Sequence, residues 1–143
     1  MSSLNGVFAG LRIGPVPYLN ARPLVWGLDP TCLETDVPAT LSAKFFASRL
    51  DVALLPVFDI LRYGTASIVD DVGIACFGEV YSVIVASRTS FSESQAIYLD
   101  PASRSSVALL RVLLAEYYSG GPAIIEEPRI PHDAARLLIG DAA

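Results

Sequence analysis

The stretch Leu50-Asp51-Val52-Ala53-Leu54-Leu55-Pro56 decides the fold class of this sequence. Its apolar residues follow one another without the alternation of polar and apolar residues that a half-exposed strand shows, and Pro56 ends the run. Continuous apolar strands of this kind are typical of parallel sheets that are covered on both faces. The stretch therefore predicts a buried parallel strand at residues 51–55 of an α/β protein.

Strand-like and helix-like segments alternate on both sides of this strand, which predicts a sheet with helices on both faces. In the last predicted helix, Leu110, Leu113, Leu114 and Tyr117 mark a buried stripe at helical spacing. Short apolar runs predict further strands at 11–14, 31–37, 68–70, 73–77, 80–86, 96–99, 123–125 and 137–139. Helices are predicted at 23–28, 38–49, 57–62 and 105–118.

A polar interruption at residues 87–95, rich in Ser, Thr, Glu and Gln, predicts a boundary between two lobes. We assign residues 1–90 to a first α/β lobe and residues 91–143 to part of a second. The run Leu137 to Asp141 is typical of a central strand that leads into a ligand loop, yet the sequence stops two residues later. We therefore expect the second lobe to be truncated, and the chain to self-associate through unpaired strand edges and uncovered apolar faces.

The composition argues against nucleic acids and membranes as partners. Hydrophobic residues make up 52% of the chain and charged residues 17%, as in a core-rich globular protein. The ten Lys and Arg residues are scattered and the net charge is −5, so the basic patch of a nucleic-acid-binding protein is missing. No run approaches the roughly 20 consecutive apolar residues of a membrane span, and the first residues lack the pattern of a secretion signal. We expect a cytoplasmic protein.

Metal, cofactor and hydrolase chemistry have little support in the sequence. Cys32 and Cys76 lack metal-ligand spacing and are expected to be reduced thiols. The single histidine, His132, stands beside Asp133 in a segment typical of a surface turn or short helix, which argues against a Ser-His-Asp hydrolase. The sequence contains no Gly-rich phosphate loop. We expect no metal and no cofactor.

Polar residues stand at the ends of several predicted strands, and ligands of open α/β sheets bind at the carboxyl ends of strands. Asn20 follows the first strand, in a loop that two prolines stiffen, and either contacts a ligand or caps the helix after it. Ser82 opens an apolar strand and is either a site residue or a turn residue bonded to the backbone. Asp141 follows the last strand and either reaches a ligand or bonds its own backbone.

The loop Asp100 to Ser106 is the sharpest candidate for a binding site. Ser103, Ser105 and Ser106 bring hydroxyls to the start of the helix predicted at 105–118, where backbone N–H groups and the positive end of the helix dipole meet. Such a helix end binds carboxylates and phosphates. One of these serines is expected to cap the helix, and capping needs only one of the three. The residues alone do not decide between anion binding and simple helix capping.

Five motifs stand in order between residues 11 and 143. They are Arg12-Ile13-Gly14 with Tyr18-Leu19-Asn20 and Pro23-Leu24, then Leu50 to Val57, Gly78 to Val83, Asp100 to Leu110 and Leu138 to Ala143. Together these motifs resemble those of the chorismate dehydratases. The resemblance has two departures, since members of that family are longer and the segment 127–136 is shorter than their corresponding stretch.

The resemblance implies a fold, a reaction and a set of site residues. Chorismate dehydratases have a two-lobed fold of the periplasmic-binding-protein type II class and work as enzymes in the cytoplasm. They remove water from chorismate to give 3-[(1-carboxyvinyl)oxy]benzoate, the first step of the futalosine route to menaquinone. By this resemblance Asn20 and Ser82 are catalytic, and Ser105 and Ser106 hold a substrate carboxylate. The further substrate-binding residues would be Tyr18, Ser103 and Asp141.

Two other kinds of protein fit the same fold class. One is a binding module, such as a solute receptor or the effector-sensing part of a regulator, since fold does not fix function. A receptor calls for an export signal and a regulator for a DNA-binding helix pair, and the sequence shows neither. The other is a non-catalytic remnant that only folds or pairs with another chain.

Overall fold

The structure, a computed structural model, describes residues 8, 10–99, 103–118, 122–125 and 133–140. Two compact units make up the chain, Met1–Ala75 and Cys76–Ala143. The predicted lobe boundary at residue 90 falls inside the second unit. The reason is that strand Val83–Ala86, which the prediction assigned to the first lobe, pairs with strand Ala135–Ile139. The α/β class is confirmed, and the two-lobed arrangement stays a prediction.

The first unit is built on a short parallel sheet. Strand β1 (Ile13–Gly14) pairs in parallel with strand β2 (Val52–Ala53). The predicted parallel strand at 51–55 is thereby confirmed at its centre. On the other side of β1, Leu33 forms an isolated parallel bridge with Ile13. The strand predicted at 31–37 is reduced to this bridge, because a 3₁₀ turn occupies Pro30–Cys32.

Two α-helices follow the segments of this sheet. Helix α1 (Pro38–Phe46) begins with a proline, whose fixed φ suits the first helical position. Helix α2 (Val57–Tyr63) begins after a three-residue connection from β2 and ends at Gly64, which has the left-handed φ of 64° that favours glycine. The rings of Phe46 and Tyr63 lie 4.3 Å apart between centroids, so the carboxyl-terminal ends of α1 and α2 pack side by side. The helix predicted at 23–28 is a 3₁₀ helix at Leu19–Val25.

The core of the first unit forms where α1 meets β1. Leu41 is fully buried, and it clusters with the buried residues Val16, Ala21 and Leu50. A Cβ atom at Gly14 would lie 2.6 Å from Leu50 Cδ1 and 2.9 Å from Leu41 Cδ2. The absence of a side chain at Gly14 therefore lets the two leucines close over β1.

An ion pair joins the amino ends of β1 and β2. Arg12 Nε donates to Asp51 Oδ2 at 2.9 Å, and Arg12 Nη2 donates to Asp51 Oδ1 at 2.8 Å. The backbone N–H of Arg12 donates to the same carboxylate at 2.8 Å, and the Asp51 N–H donates to the Arg12 carbonyl at 2.9 Å. This set of contacts fixes the register of the two strands. It also connects two of the motifs on which the family resemblance rests.

The ion pair predicts a specific acid response. Hydrogen bonds from the Arg12 side chain lower the pKa of Asp51 to about 2, from an ordinary value of 3.8. Because the folded pKa is the lower one, the ionised pair stabilises the fold above about pH 4 and loses this effect as the pH falls toward 2. We expect Asp51→Asn to lower the melting temperature at pH 7, and the difference from wild type to shrink toward zero near pH 2.

Circular dichroism melts of both proteins between pH 7 and pH 2 measure this difference. Asp36, whose pKa is lowered mainly by a hydrogen bond from Lys44, titrates alike in both proteins and cancels in the comparison. A gap in melting temperature that stayed constant across this range would show that ionisation of Asp51 does not stabilise the fold.

The second unit contains a mixed four-stranded sheet in the order β3-β6-β4-β5. Strand β6 runs antiparallel to β3 and parallel to β4, and β4 runs parallel to β5. These strands confirm four of the predicted ones with small changes of bounds. They are β3 (Val83–Ala86), β4 (Ala96–Tyr98), β5 (Ala123–Ile125) and β6 (Ala135–Ile139).

Helix α3 (Arg104–Tyr117) packs on this sheet through a narrower stripe than predicted. Leu110 is buried, and Val107 and Leu114 pack against the same core cluster as Ile97 of β4. Leu113 and Tyr117 are exposed, so their predicted burial is wrong. Residues 107, 110 and 114, spaced three and four apart, already provide the face that contacts the sheet.

The strands predicted at 68–70 and 73–77 are wrong, because the structure forms no strand there. The chain turns at residues 70–71, and Asp71 has a left-handed φ of 60°, which interrupts the extended run. Ile68 and Phe77 are consequently exposed. Exposed apolar side chains favour association, but self-association stays a prediction, which light scattering of the purified protein would test.

Candidate functional site

Strand pairing brings Ser82 to the carboxyl end of β6. Because β3 is antiparallel to β6, the residue that precedes β3 stands beside the residue that follows β6. The N–H of Gly140 donates to the carbonyl of Ser82 at 2.9 Å, which joins the two positions directly. The Ser82 side chain is exposed.

The start of α3 lies at the same end of the sheet. Strand β4 is parallel to β6, so the carboxyl ends of both strands point the same way. The chain leaves the carboxyl end of β4 and enters α3 at Ser103, the N-cap residue. The chain therefore passes from β4 to α3 at the same end of the sheet where Ser82 and Gly140 are hydrogen-bonded. This is where ligands of α/β sheets bind.

Ser103 occupies the N-cap position of α3 without capping it. Its side chain forms no cap hydrogen bond, although only 9% of the residue is exposed. The expectation that one serine caps the helix is therefore wrong for the residue in the cap position. Ser105 and Ser106 are half-buried in the first turn. These hydroxyls and the positive end of a 14-residue helix form an arrangement that suits a carboxylate.

The loop after β1 presents Asn20 in a different setting. Tyr18, and not Asn20, is the N-cap of the 3₁₀ helix Leu19–Val25, and its side chain makes no cap bond. The alternative that Asn20 caps this helix is therefore wrong. Asn20 lies inside the helix with its side chain exposed, while Tyr18 is half-buried against the core cluster that contains Leu41. The amide of Asn20 offers one acceptor and two donors to a ligand of the first unit.

Several sequence candidates lie outside the described residues. Among them are Asp141, the residues Asp100 to Ala102 that precede α3, and His132. In the described part of the chain, no group of three His, Cys, Asp or Glu residues is arranged to hold a metal ion. A helix with the length and apolar character needed to cross a membrane is also not found there.

Two charged residues, Asp59 and Arg104, are not among the site residues that the sequence predicts. Asp59 is fully buried in the first turn of α2, the helix that follows β2 in the chain. Its position three residues after Pro56 is the only sign that the sequence gives. Arg104 is the first residue of α3, between the two candidate serines Ser103 and Ser105. Its place inside the serine run is the sign that the sequence gives of this residue.

Comparison with known families identifies a family for this chain. A family model described as menaquinone biosynthesis matches residues 11–143. The match spans the loop that carries Asn20, the ion pair of Arg12 with Asp51, and all strands of both sheets. It confirms the family relation that the five motifs predict. The chain belongs to the menaquinone biosynthesis family.

Proposed function

We propose that this chain removes water from chorismate and forms 3-[(1-carboxyvinyl)oxy]benzoate, for menaquinone biosynthesis by the futalosine route. The proposal rests on the family of the chain and on one structural observation. Ser82 lies at the end of the second unit's sheet from which the chain passes to α3, the helix whose amino end carries Ser103, Ser105 and Ser106. Hydroxyls and helix amides are what a carboxylate-bearing substrate needs, and chorismate carries two carboxylates.

The reaction does not require a strong acid or base from the protein. The bond between a ring carbon and its hydroxyl breaks, a ring C–H bond breaks, and the electron pair of that C–H bond completes an aromatic ring. In the overall balance, the hydroxyl and the proton are lost as one molecule of water. Because the ring becomes aromatic, the products are favoured, and the protein has mainly to orient the substrate and stabilise developing charge. Asn, Ser and backbone N–H groups suit that work.

Each candidate residue has a role in this scheme. The first turn of α3, with Ser103, Ser105 and Ser106, binds one substrate carboxylate. By the family resemblance, Ser82 and Asn20 are catalytic, and each contributes a side chain that can form hydrogen bonds. A substrate carboxylate takes the ring proton, so no strong protein base is needed. By the same resemblance, Tyr18 and Asp141 are further substrate-binding residues.

The proposal includes a setting for the reaction. We infer a two-lobed fold of the periplasmic-binding-protein type II class, a cytoplasmic location and catalysis without a cofactor. The α/β class and the two compact units support this fold. The placement of polar residues at strand ends is the feature that it shares with ligand-binding α/β proteins in general.

Incubation of the purified chain with chorismate tests the proposal. We expect chorismate absorbance to fall and mass spectrometry to detect an aromatic product that is lighter by one water. Pretreatment with a chelator should leave the rate unchanged. Binding of chorismate without turnover would overturn the lyase assignment in favour of a carboxylate-binding module, and absence of binding would overturn both.

A further inference from the structure

Ser42 carries a buried hydroxyl that its own helix does not satisfy. The residue lies in the interior of α1 with 1% of its surface exposed. A serine inside a helix ordinarily faces water or donates to the carbonyl one turn earlier, but Ser42 Oγ makes no hydrogen bond with the described part of the chain. Burial of a hydroxyl in this state costs free energy, which alanine at the same position would avoid. Helix stability therefore does not explain a serine here.

Asp59 lies on the stripe of α2 that is turned toward the stripe of Ser42. The rings of Phe46 and Tyr63 are in contact and show which faces of α1 and α2 meet. Ser42 lies four residues before Phe46 on α1. Asp59 likewise lies four residues before Tyr63 on α2. Residues spaced by four share one face of a helix, so the hydroxyl and the carboxylate each stand one turn before the ring contact, on the two faces that meet.

The Asp59 carboxylate is as deeply buried as the Ser42 hydroxyl. No part of Asp59 is exposed, and its Oδ2 is shielded from solvent. An acidic residue at the third position of a helix often accepts a hydrogen bond from the backbone N–H of the N-cap residue. The N-cap of α2 is Pro56, which has no N–H to donate. Capping of α2 in this way therefore does not explain a carboxylate that is buried toward α1.

We propose that Ser42 and Asp59 together bind one buried water molecule, which links α1 to α2. The water donates one hydrogen bond to the carboxylate of Asp59 and forms a second with the hydroxyl of Ser42. A buried water ordinarily makes two to four hydrogen bonds with buried polar groups, and these two side chains provide the two that are needed. The bridge fixes the first turn of α2 against α1, and it does not depend on the proposed reaction.

Thermal melts of variants of the full chain test the bridge. Ser42→Ala should lower the melting temperature by about 3–6 °C, because the water and the carboxylate each lose a hydrogen-bond partner. In an Asp59→Leu background, the same change should have little further effect, since the bridge is already broken. The matched control Ser67→Ala removes an exposed hydroxyl and should shift the melting temperature by less than about 1 °C. An unchanged or higher melting temperature of Ser42→Ala would overturn the proposal.

A high-resolution crystal structure of the full chain gives a readout that does not depend on the stability of any variant. We expect one ordered water within about 3.2 Å of both Ser42 Oγ and an Asp59 carboxylate oxygen. Direct hydrogen bonding between the two side chains would show that no water links them, and so would an interface without ordered water at this position. Either result would contradict the proposed site.

Discussion

Replacing Leu41 with alanine should lower the free energy of unfolding of the first unit by about 2–5 kcal/mol. Leu41 has no exposed surface and packs where α1 closes over Gly14 and Leu50. The truncation removes buried apolar atoms and leaves a cavity that its neighbours fill only in part. Urea denaturation followed by circular dichroism measures the loss.

Leu61→Ala is the matched control for this substitution. Leu61 lies on α2 of the same unit with 78% of its surface exposed, so the same atoms are removed from a position that already contacts water. We expect a change within about 0.5 kcal/mol, as for most surface substitutions. Equal losses in the two variants would show that the cluster around Leu41 is not the core of this unit.

Asn20→Ala and Ser82→Ala should each reduce chorismate turnover by at least about tenfold, which corresponds to about 1.4 kcal/mol of lost transition-state stabilisation. Both side chains are exposed, so their removal should leave the melting temperature nearly unchanged. A drop in kcat/KM without a drop in stability is the expected combination, and steady-state kinetics with thermal melts measures both.

Two exposed residues outside the strand ends provide controls for these variants. Arg22→Ala changes the same 3₁₀ helix as Asn20, and Ser67→Ala removes a hydroxyl from the loop after α2. Both should keep wild-type turnover. If Asn20→Ala or Ser82→Ala also kept it, that residue would have no part in the reaction.

Local pattern predicted the elements best where the pattern and the tertiary contacts agree. The run at 51–55 forms β2, and the periodic segment after Ser103 forms α3 with Leu110 inside. Pattern failed at 68–70 and 73–77, where apolar residues suit a strand but a turn with left-handed Asp71 interrupts the chain. A strand forms only where another strand pairs with it, and local composition does not specify that pairing.

The candidate site shows the same limit. The serines at the start of α3 could be found from the sequence, because a polar loop before a periodic helix is a local pattern. The contact of Ser82 with Gly140 could not, because it depends on the antiparallel pairing of β3 with a strand far along the chain. Ser103 leaves α3 without a side-chain cap, and this depends on its rotamer and packing, which no residue pattern specifies.

The central place of β6 in its sheet also has a consequence for synthesis on the ribosome. β6 separates β3 from β4, and Val83 finds its partner only at Ile139. While the polypeptide is being made, β3, β4 and α3 emerge before the strand that joins them. Closing so long a loop costs entropy before any pairing compensates it, and folding that depends on distant contacts is slow. The second unit must therefore assemble late, with β3 exposed to chaperones and to other nascent chains until residue 139 leaves the exit tunnel.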